Sequence, residues 1–164
     1  KRPNDIAGIV ELKLIRGASE KFRVGDIAVV GSDIVGRVLS IGLTRMELIP
    51  VTHKEVGLTR ATIVPAHPTR DRSPLLADII MQSNGKSVML AEVLATSGVQ
   101  IGDLVQLDDS SWPAVGIGYT LGVVADVAQL DEAPLRHRVV IEPRRQARDL
   151  SKVVVFGTGE KKIE

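Results

Sequence analysis

The chain has 164 residues, of which 44% are hydrophobic, 25% charged and only 2% aromatic, with a formal net charge of +1. A near-neutral chain with four rings (Phe22, Trp112, Tyr119 and Phe156) lacks the basic footprint and the row of stacking aromatics that nucleic-acid binding uses. The absence of cysteine excludes disulfides, thiolate metal sites and cysteine nucleophiles.

From the N-terminus onward the apolar pattern has a period of two. In VELKL, Val10, Leu12 and Leu14 alternate with Glu11 and Lys13, which predicts a half-buried strand. Short runs rich in Val, Ile and Leu follow: DIAVV, IVGRVLSI, MELIPV, RATIVP, LLADIIM, SVMLAEVL, DLVQL, YTLGVVADV, RVVIE and KVVVF. Asn84-Gly85 between two of them predicts a two-residue hairpin turn of type I′. The best helix candidate, Arg144 to Lys152, is one or two turns long. No apolar run approaches the ~20 residues that span a bilayer. Ala66 to Pro74, with Pro68 and Pro74, reads as a linker between halves, and Asp108 to Gly118 as a long loop within the second half.

Two phrases occur twice in the same order. Val24-Gly25-Asp26-Ile27 returns as Ile101-Gly102-Asp103-Leu104, and Gly36-Arg37-Val38 returns as Gly122-Val123-Val124. The first pair is 77 residues apart and the second 86, so the later copy carries nine more residues between its phrases. Gly-Asp ahead of a strand is turn chemistry: the glycine accepts positive φ and the carboxylate bonds nearby backbone N–H groups. A glycine inside a strand marks a bend where a small sheet curls. The repeated unit is thus a barrel hairpin, with Gly25, Asp26, Gly102 and Asp103 as structural turns and Gly36 and Gly122 as bends. The fold expected is all-β, two tandem six-stranded β-barrels with little or no helix. The first spans residues 1–66 and the second 67–164, and the C-terminal strands are allowed to return to the first barrel.

Searches for chemistry return little. His53, Asp78 and Ser97 follow the chain order of a chymotrypsin-type triad, yet no glycine-rich elbow surrounds the serine, and ordinary turn and surface roles account for all three better. His53, His67 and His137 are scattered and lack metal-ligand spacing. GIGYTLG (116–122) has the glycines of a phosphate cradle but runs into a strand, where a cradle needs a helix. Arg136, Arg138, Arg144, Arg145 and Arg148 gather late in the chain, as a solvated strand face and turn or as a patch for an acidic partner. Trp112, the only tryptophan, precedes Pro113 in the polar loop. It reads either as a plug for a barrel end or, with Pro113, as an exposed anchor for a partner.

The order of these phrases resembles the extracytoplasmic domain of the MreC family, bacterial rod shape-determining proteins. IVGRVLSIG followed by MELIPVTHKEVGLTRATIV resembles the family's first half. IGDLVQL, then WPAVGIGYTLGVVADV, resembles its second phrase, and PRRQARDLSKVVVF its closing strand. Together they cover about residues 8 to 157. Thr96-Ser97-Gly98 precedes the second Gly-Asp phrase, where the family has it after, and IPVTHKE lacks a Thr-Asp-Pro turn, so the chain is a divergent member on this reading. The resemblance implies a scaffold without catalytic activity and without cofactors or metal. It implies a location on the outer face of the bacterial inner membrane, with an anchoring helix and a coiled coil upstream. It further implies self-association and partnership with cell-wall elongation proteins, among them a penicillin-binding transpeptidase and other shape-determining proteins. No nucleic-acid partner is expected. Two alternatives from other classes are a tandem β-barrel RNA-binding module and a protease-like double barrel.

Overall fold

Alternation of apolar and polar residues lays down strands throughout the computed structural model, which describes residues 9–14, 18–145 and 152–159. In chain order the strands are β1 (Val10–Lys13), β2 (Ile27–Val30), β3 (Asp33–Ile41), β4 (Arg45–Pro50), β5 (Leu58–Val64) and β6 (Ala77–Ser83). They continue with β7 (Met89–Leu94), β8 (Leu104–Leu107), β9 (Thr120–Leu130), β10 (Ala133–Glu142) and β11 (Val154–Phe156). The helical elements among the described residues are three single 3-10 turns, at Ser19–Lys21, Lys54–Val56 and Ala114–Gly116. The all-β expectation therefore holds. The helix candidate at 144–152 lies mostly outside the described residues.

Strand β7 shows how the pattern works. Met89, Ala91 and Val93 are buried, and Leu90, Glu92 and Leu94 between them are exposed. Successive side chains of a strand point to opposite faces, so one face reaches the core and the other meets water. The same alternation places Ile79 and Met81 of β6 inside.

Six strands close into a ring in the order β5-β6-β7-β10-β9-β8, and β8 returns to pair with β5. Every pairing in the ring is antiparallel. Strand β5 lies before residue 66, and the 66–74 segment joins two neighbouring strands of this ring, with the Leu76 N–H donating to the Ile63 carbonyl at 2.9 Å. The remaining strands form an open antiparallel sheet in the order β11-β2-β3-β4-β1. This first unit thus holds five strands among the described residues, where the sequence suggested six. The C-terminal strand does return to it.

The hairpin at Asn84-Gly85 forms, but through five residues and not two. Asn84 Oδ1 accepts from the N–H groups of Lys86, Ser87 and Val88 at 2.8, 3.0 and 3.2 Å, and only Gly85 takes positive φ. A side-chain oxygen that satisfies three backbone donors makes the longer loop self-sufficient.

Two apolar clusters fill the units, and β2 is the wall between them. Ile27 and Val29 point into the larger cluster with Met81, Met89, Leu107 and Ile141, whereas Ala28 belongs to the smaller one with Val35, Val38, Met46 and Leu48. The two sheets meet where Asp33 of β3 lies beside Thr120 of β9 in a single parallel bridge.

Candidate functional site

The repeated phrases fold into two copies of one turn. Gly25 and Gly102 have φ of 94° and 95°, a left-handed conformation that a Cβ would strain. The Gly25 N–H donates to the Val38 carbonyl and the Gly102 N–H to the Val124 carbonyl, each at 2.8 Å. Val38 N–H returns to the Asp26 carbonyl and Val124 N–H to the Asp103 carbonyl, again at 2.8 Å in both. Asp26 Oδ2 accepts from the Arg23 N–H and Asp103 Oδ2 from the Gln100 N–H, both at 2.8 Å. At the bends, a Cβ on Gly36 would run into the Ile49 carbonyl oxygen, and one on Gly122 into that of Glu142. Here glycine is required by the close approach of the neighbouring strand.

Each turn then uses its aspartate differently. Asp26 holds the segment that follows β11, accepting from the Thr158 N–H at 3.0 Å and from its hydroxyl. Asp103 receives a two-pronged bond from Arg72, at 2.9 and 2.7 Å. Burial opposes ionisation of Asp103, but Arg72 and backbone N–H groups outweigh it and hold the carboxyl below its usual range.

The loop that the second copy lengthens is one of the contacts between units. Asp109 pins it to β5: one carboxylate oxygen accepts from the Arg60 N–H at 2.9 Å, the other from the Ser111 N–H and hydroxyl at 2.8 and 2.6 Å. Burial opposes its charge too, and these bonds still leave the Asp109 carboxyl below its ordinary value. Trp112 is 4% exposed and belongs to the larger core. Its ring lies under the Arg37 guanidinium of β3, 4.1 Å from the centroid. Arg37 is also tied to the Gly25 carbonyl by Nε at 3.2 Å, and its burial lowers the guanidinium pKa against the opposing pull of Asp109 and Asp26. Gly116 abuts Ile27 and Leu107, and Tyr119 meets Phe156 of β11 edge-on at 5.9 Å. The ring therefore plugs the junction of the two units. Pro113 is half-buried, and the large apolar side chains that this loop turns outward are those of Val115 and Ile117, 46% and 44% exposed. Sequence reasoning passed over both because an apolar residue in a loop carries no pattern to mark its direction.

The late basic cluster divides. Arg144 and Arg145 close on Asp33, with Nε–Oδ distances of 2.7 and 3.1 Å, at the bridge between the sheets. Arg136 pairs with Glu92 at 3.5 Å on the surface, Arg138 is exposed, and Arg148 lies outside the described residues. His53, Asp78 and Ser97 stand on separate elements, and among the described residues none hydrogen-bonds another. His53 accepts from the Glu55 N–H at 3.2 Å, and Ser97 from the Val99 N–H at 3.4 Å.

A groove of about 1150 Å³ crosses the outer face of the ring between Leu58, Arg60, Ile80, Leu90 and Arg138. It opens because β6 and β7 pair only at Gln82–Leu90 and Ser83–Met89, next to their turn, and separate beyond it.

No protein-family model and no curated protein matches the sequence. Solved structures do. A structure of MreC superposes with a TM-score of 0.69 at 17% identity, covering 96% of this chain and 82% of that one. MreC from Pseudomonas aeruginosa gives a TM-score of 0.63 at 18% identity over 87% of this chain and 85% of that one. A complex between the penicillin-binding protein PBP2 and MreC from Helicobacter pylori gives 0.54 at 14% identity over 90% and 85%.

The chain has the MreC fold.

The likeness extends through both units of the MreC fold, since the match covers 96% of the chain. The sequence resemblance and the superposition agree on this fold while identities stay at 14–18% across these structures.

Proposed function

We propose that this chain is a non-enzymatic scaffold of the MreC type, working on the outer face of the bacterial cytoplasmic membrane to organise cell-wall elongation. The observation that carries the reading is the shared fold over nearly the whole chain. One similar structure was solved as a complex of PBP2 and MreC, and by that precedent a penicillin-binding transpeptidase is the partner proposed here. Self-association and contacts with other shape-determining proteins belong to the same reading. An N-terminal anchoring helix is part of the same proposal; no helix of the described residues is long and apolar enough to cross a membrane.

The fate of the polar side chains supports a scaffold. Asp26, Asp33, Asp103 and Asp109 are buried, and their oxygens are committed to holding turns, the segment after β11 and the junction between units. In this reading the chain is two β units that exchange β5 and β11, with the Gly-Asp turns as structural elements. The contact surface includes Pro113 with Val115 and Ile117, propped from beneath by Trp112. A scaffold needs a few such anchors on a rigid base.

Depletion of the protein in its host, with a fluorescent penicillin label on co-purified material, tests the proposal. Rounded cells and recovery of a labelled penicillin-binding protein are expected. Ser97→Ala and His53→Ala should both restore rod shape. Normal rods after depletion, or failure of both variants to rescue while folded, would sink it.

A further inference from the structure

The ring is held unevenly around its circumference. Strands β5 and β6 pair at six positions, from Leu58 with Gln82 to Ile63 with Ala77, and β7 and β10 at six, from Met89 with Ile141 to Leu94 with Arg136. Between these two pairs, β6 and β7 meet only at Gln82–Leu90 and Ser83–Met89, although both remain strands over 77–81 and 91–94.

The backbone groups along this seam are placed by their neighbours. Arg60 turns its backbone away from β6: its N–H donates to Asp109 at 2.9 Å, and its carbonyl accepts from the Asp108 N–H at 3.2 Å. Backbone groups alternate sides along a strand, so Thr59, Ala61 and Ile63 turn theirs to β6 and engage Met81, Ile79 and Ala77. Asp78, Ile80 and Gln82 are left with N–H and C=O groups facing β7. On the other strand, the Ala95 N–H donates to the Leu135 carbonyl at 2.8 Å, and Val93 and Ala91 share that side, opposite His137 and Val139. Leu90, Glu92 and Leu94 therefore face β6. Gln82 and Leu90 engage each other, whereas the groups of Asp78 and Ile80 point across the seam at those of Leu94 and Glu92 with no pairing. The groove of about 1150 Å³ lies over this stretch of the seam. Beneath it Ile79, Met81, Ala91 and Val93 are all buried, so the core is sealed and only the backbone layer stands apart.

We propose that the β6–β7 seam is a clasp with two states: the open one that the structure shows, and a less populated closed one in which the strands zip to their ends. Its register is already set. From Gln82–Leu90 the next facing pairs are Ile80 with Glu92 and Asp78 with Leu94. The turn end is fixed, since Asn84 Oδ1 accepts from the N–H groups of Lys86, Ser87 and Val88. Groups that face an open groove are hydrated, and exchanging water for a protein partner changes stability little. Closing thus needs neither a new core nor unfolding, as in other local openings of a native fold. A ligand shifts such an equilibrium only by binding one state better, and the groove exists in the open state alone. The outer face of the ring accordingly has two shapes. The proposal rests on the ring and stands or falls apart from the scaffold reading.

The test uses the whole chain, which has no cysteine of its own. Asp78→Cys with Leu94→Cys sets two thiols opposite each other in the closed register, where facing residues stand about 5.5 Å apart, within reach of a disulfide. Gln82→Cys with Leu90→Cys, already paired in the open state, is the control. Under a mild oxidant the first pair should cross-link within one molecule, about 10- to 1,000-fold more slowly than the control, as a minor state dictates. The cross-link should then slow amide exchange at Ile80 and Glu92 at least about ten-fold relative to the reduced protein. In the wild type those two amides should exchange faster than the amides of Ile79 and Met81, which face β5. Should the variant not fold, Ile80→Cys with Glu92→Cys takes its place, read by exchange at Asp78 and Leu94. No cross-link where the control forms one shows a seam that never closes. Cross-linking as fast as the control, or wild-type protection at Ile80 equal to that at Ile79, shows one that never opens. Either result overturns the proposal, as does a cross-link that leaves exchange unchanged.

Discussion

Arg37 of β3 holds its guanidinium 4.1 Å from the centre of the Trp112 ring, so a half-buried cation of the open sheet covers a buried aromatic of the ring's loop. The pair sits where the two units join. Desolvation disfavours the charge and lowers the guanidinium pKa, and Asp109 and Asp26 offset this only in part, while the ring face adds its own attraction.

Removing the ring should therefore act on stability. Trp112→Ala is expected to cost about 3–5 kcal/mol, read as a lower urea midpoint and Tm. Arg37→Met should cost less, and a double-mutant cycle should return a coupling on the order of 1 kcal/mol. Indole emission of the wild type should be blue-shifted and resistant to iodide. An exposed-type spectrum with unchanged Tm in Trp112→Ala would contradict the burial.

The two bends should respond alike. In Gly36→Ala and Gly122→Ala the new methyl meets a backbone carbonyl that cannot swing away. Each should lose about 1–3 kcal/mol, the usual range for overpacking. Gly102→Ala has open space around the methyl but a φ of 95°, so only the conformational penalty of about 1–2 kcal/mol remains. Chemical denaturation of the three variants checks the order.

Acid should weaken the fold through Asp103 and Asp109. Both carboxyls are held below the ordinary value of 3.8, so the folded state binds protons less readily than the unfolded chain. Their contribution is fully present above the unfolded value and is lost as pH falls through the lowered folded values. Urea midpoints measured from pH 6 down to pH 2 should fall in the acid range. Asp103→Asn should be less stable at pH 6 and show a shallower acid decline. A midpoint independent of pH below 4 would count against these bonds.

Surface changes on the junction loop should separate binding from folding. Ile117 is 44% exposed, so Ile117→Asp should alter stability by no more than about 0.5 kcal/mol. If the loop is part of the proposed contact surface, recovery of the penicillin-binding partner should drop several-fold in the same variant. Unchanged recovery would remove the loop from that surface.

The sequence by itself determined the strands, the two turns and the two bends, because these are local demands. Alternation of apolar residues selects a strand face. Positive φ at Gly25 and Gly102, and the absence of room for a Cβ at Gly36 and Gly122, leave a mark at a single position. Tertiary structure alone decided which strands pair. Strand β5 joins the ring of the later repeat and β11 the sheet of the earlier one, since a strand's partners depend on distant edges and not on its own residues. Arg144 and Arg145 look like surface cations in sequence, and only the closing of the chain onto Asp33 gives them a buried carboxylate 111 and 112 residues away. Trp112 stood between plug and anchor for the same reason: a ring is buried or exposed by what the fold lays over it, here Arg37 and the core beneath.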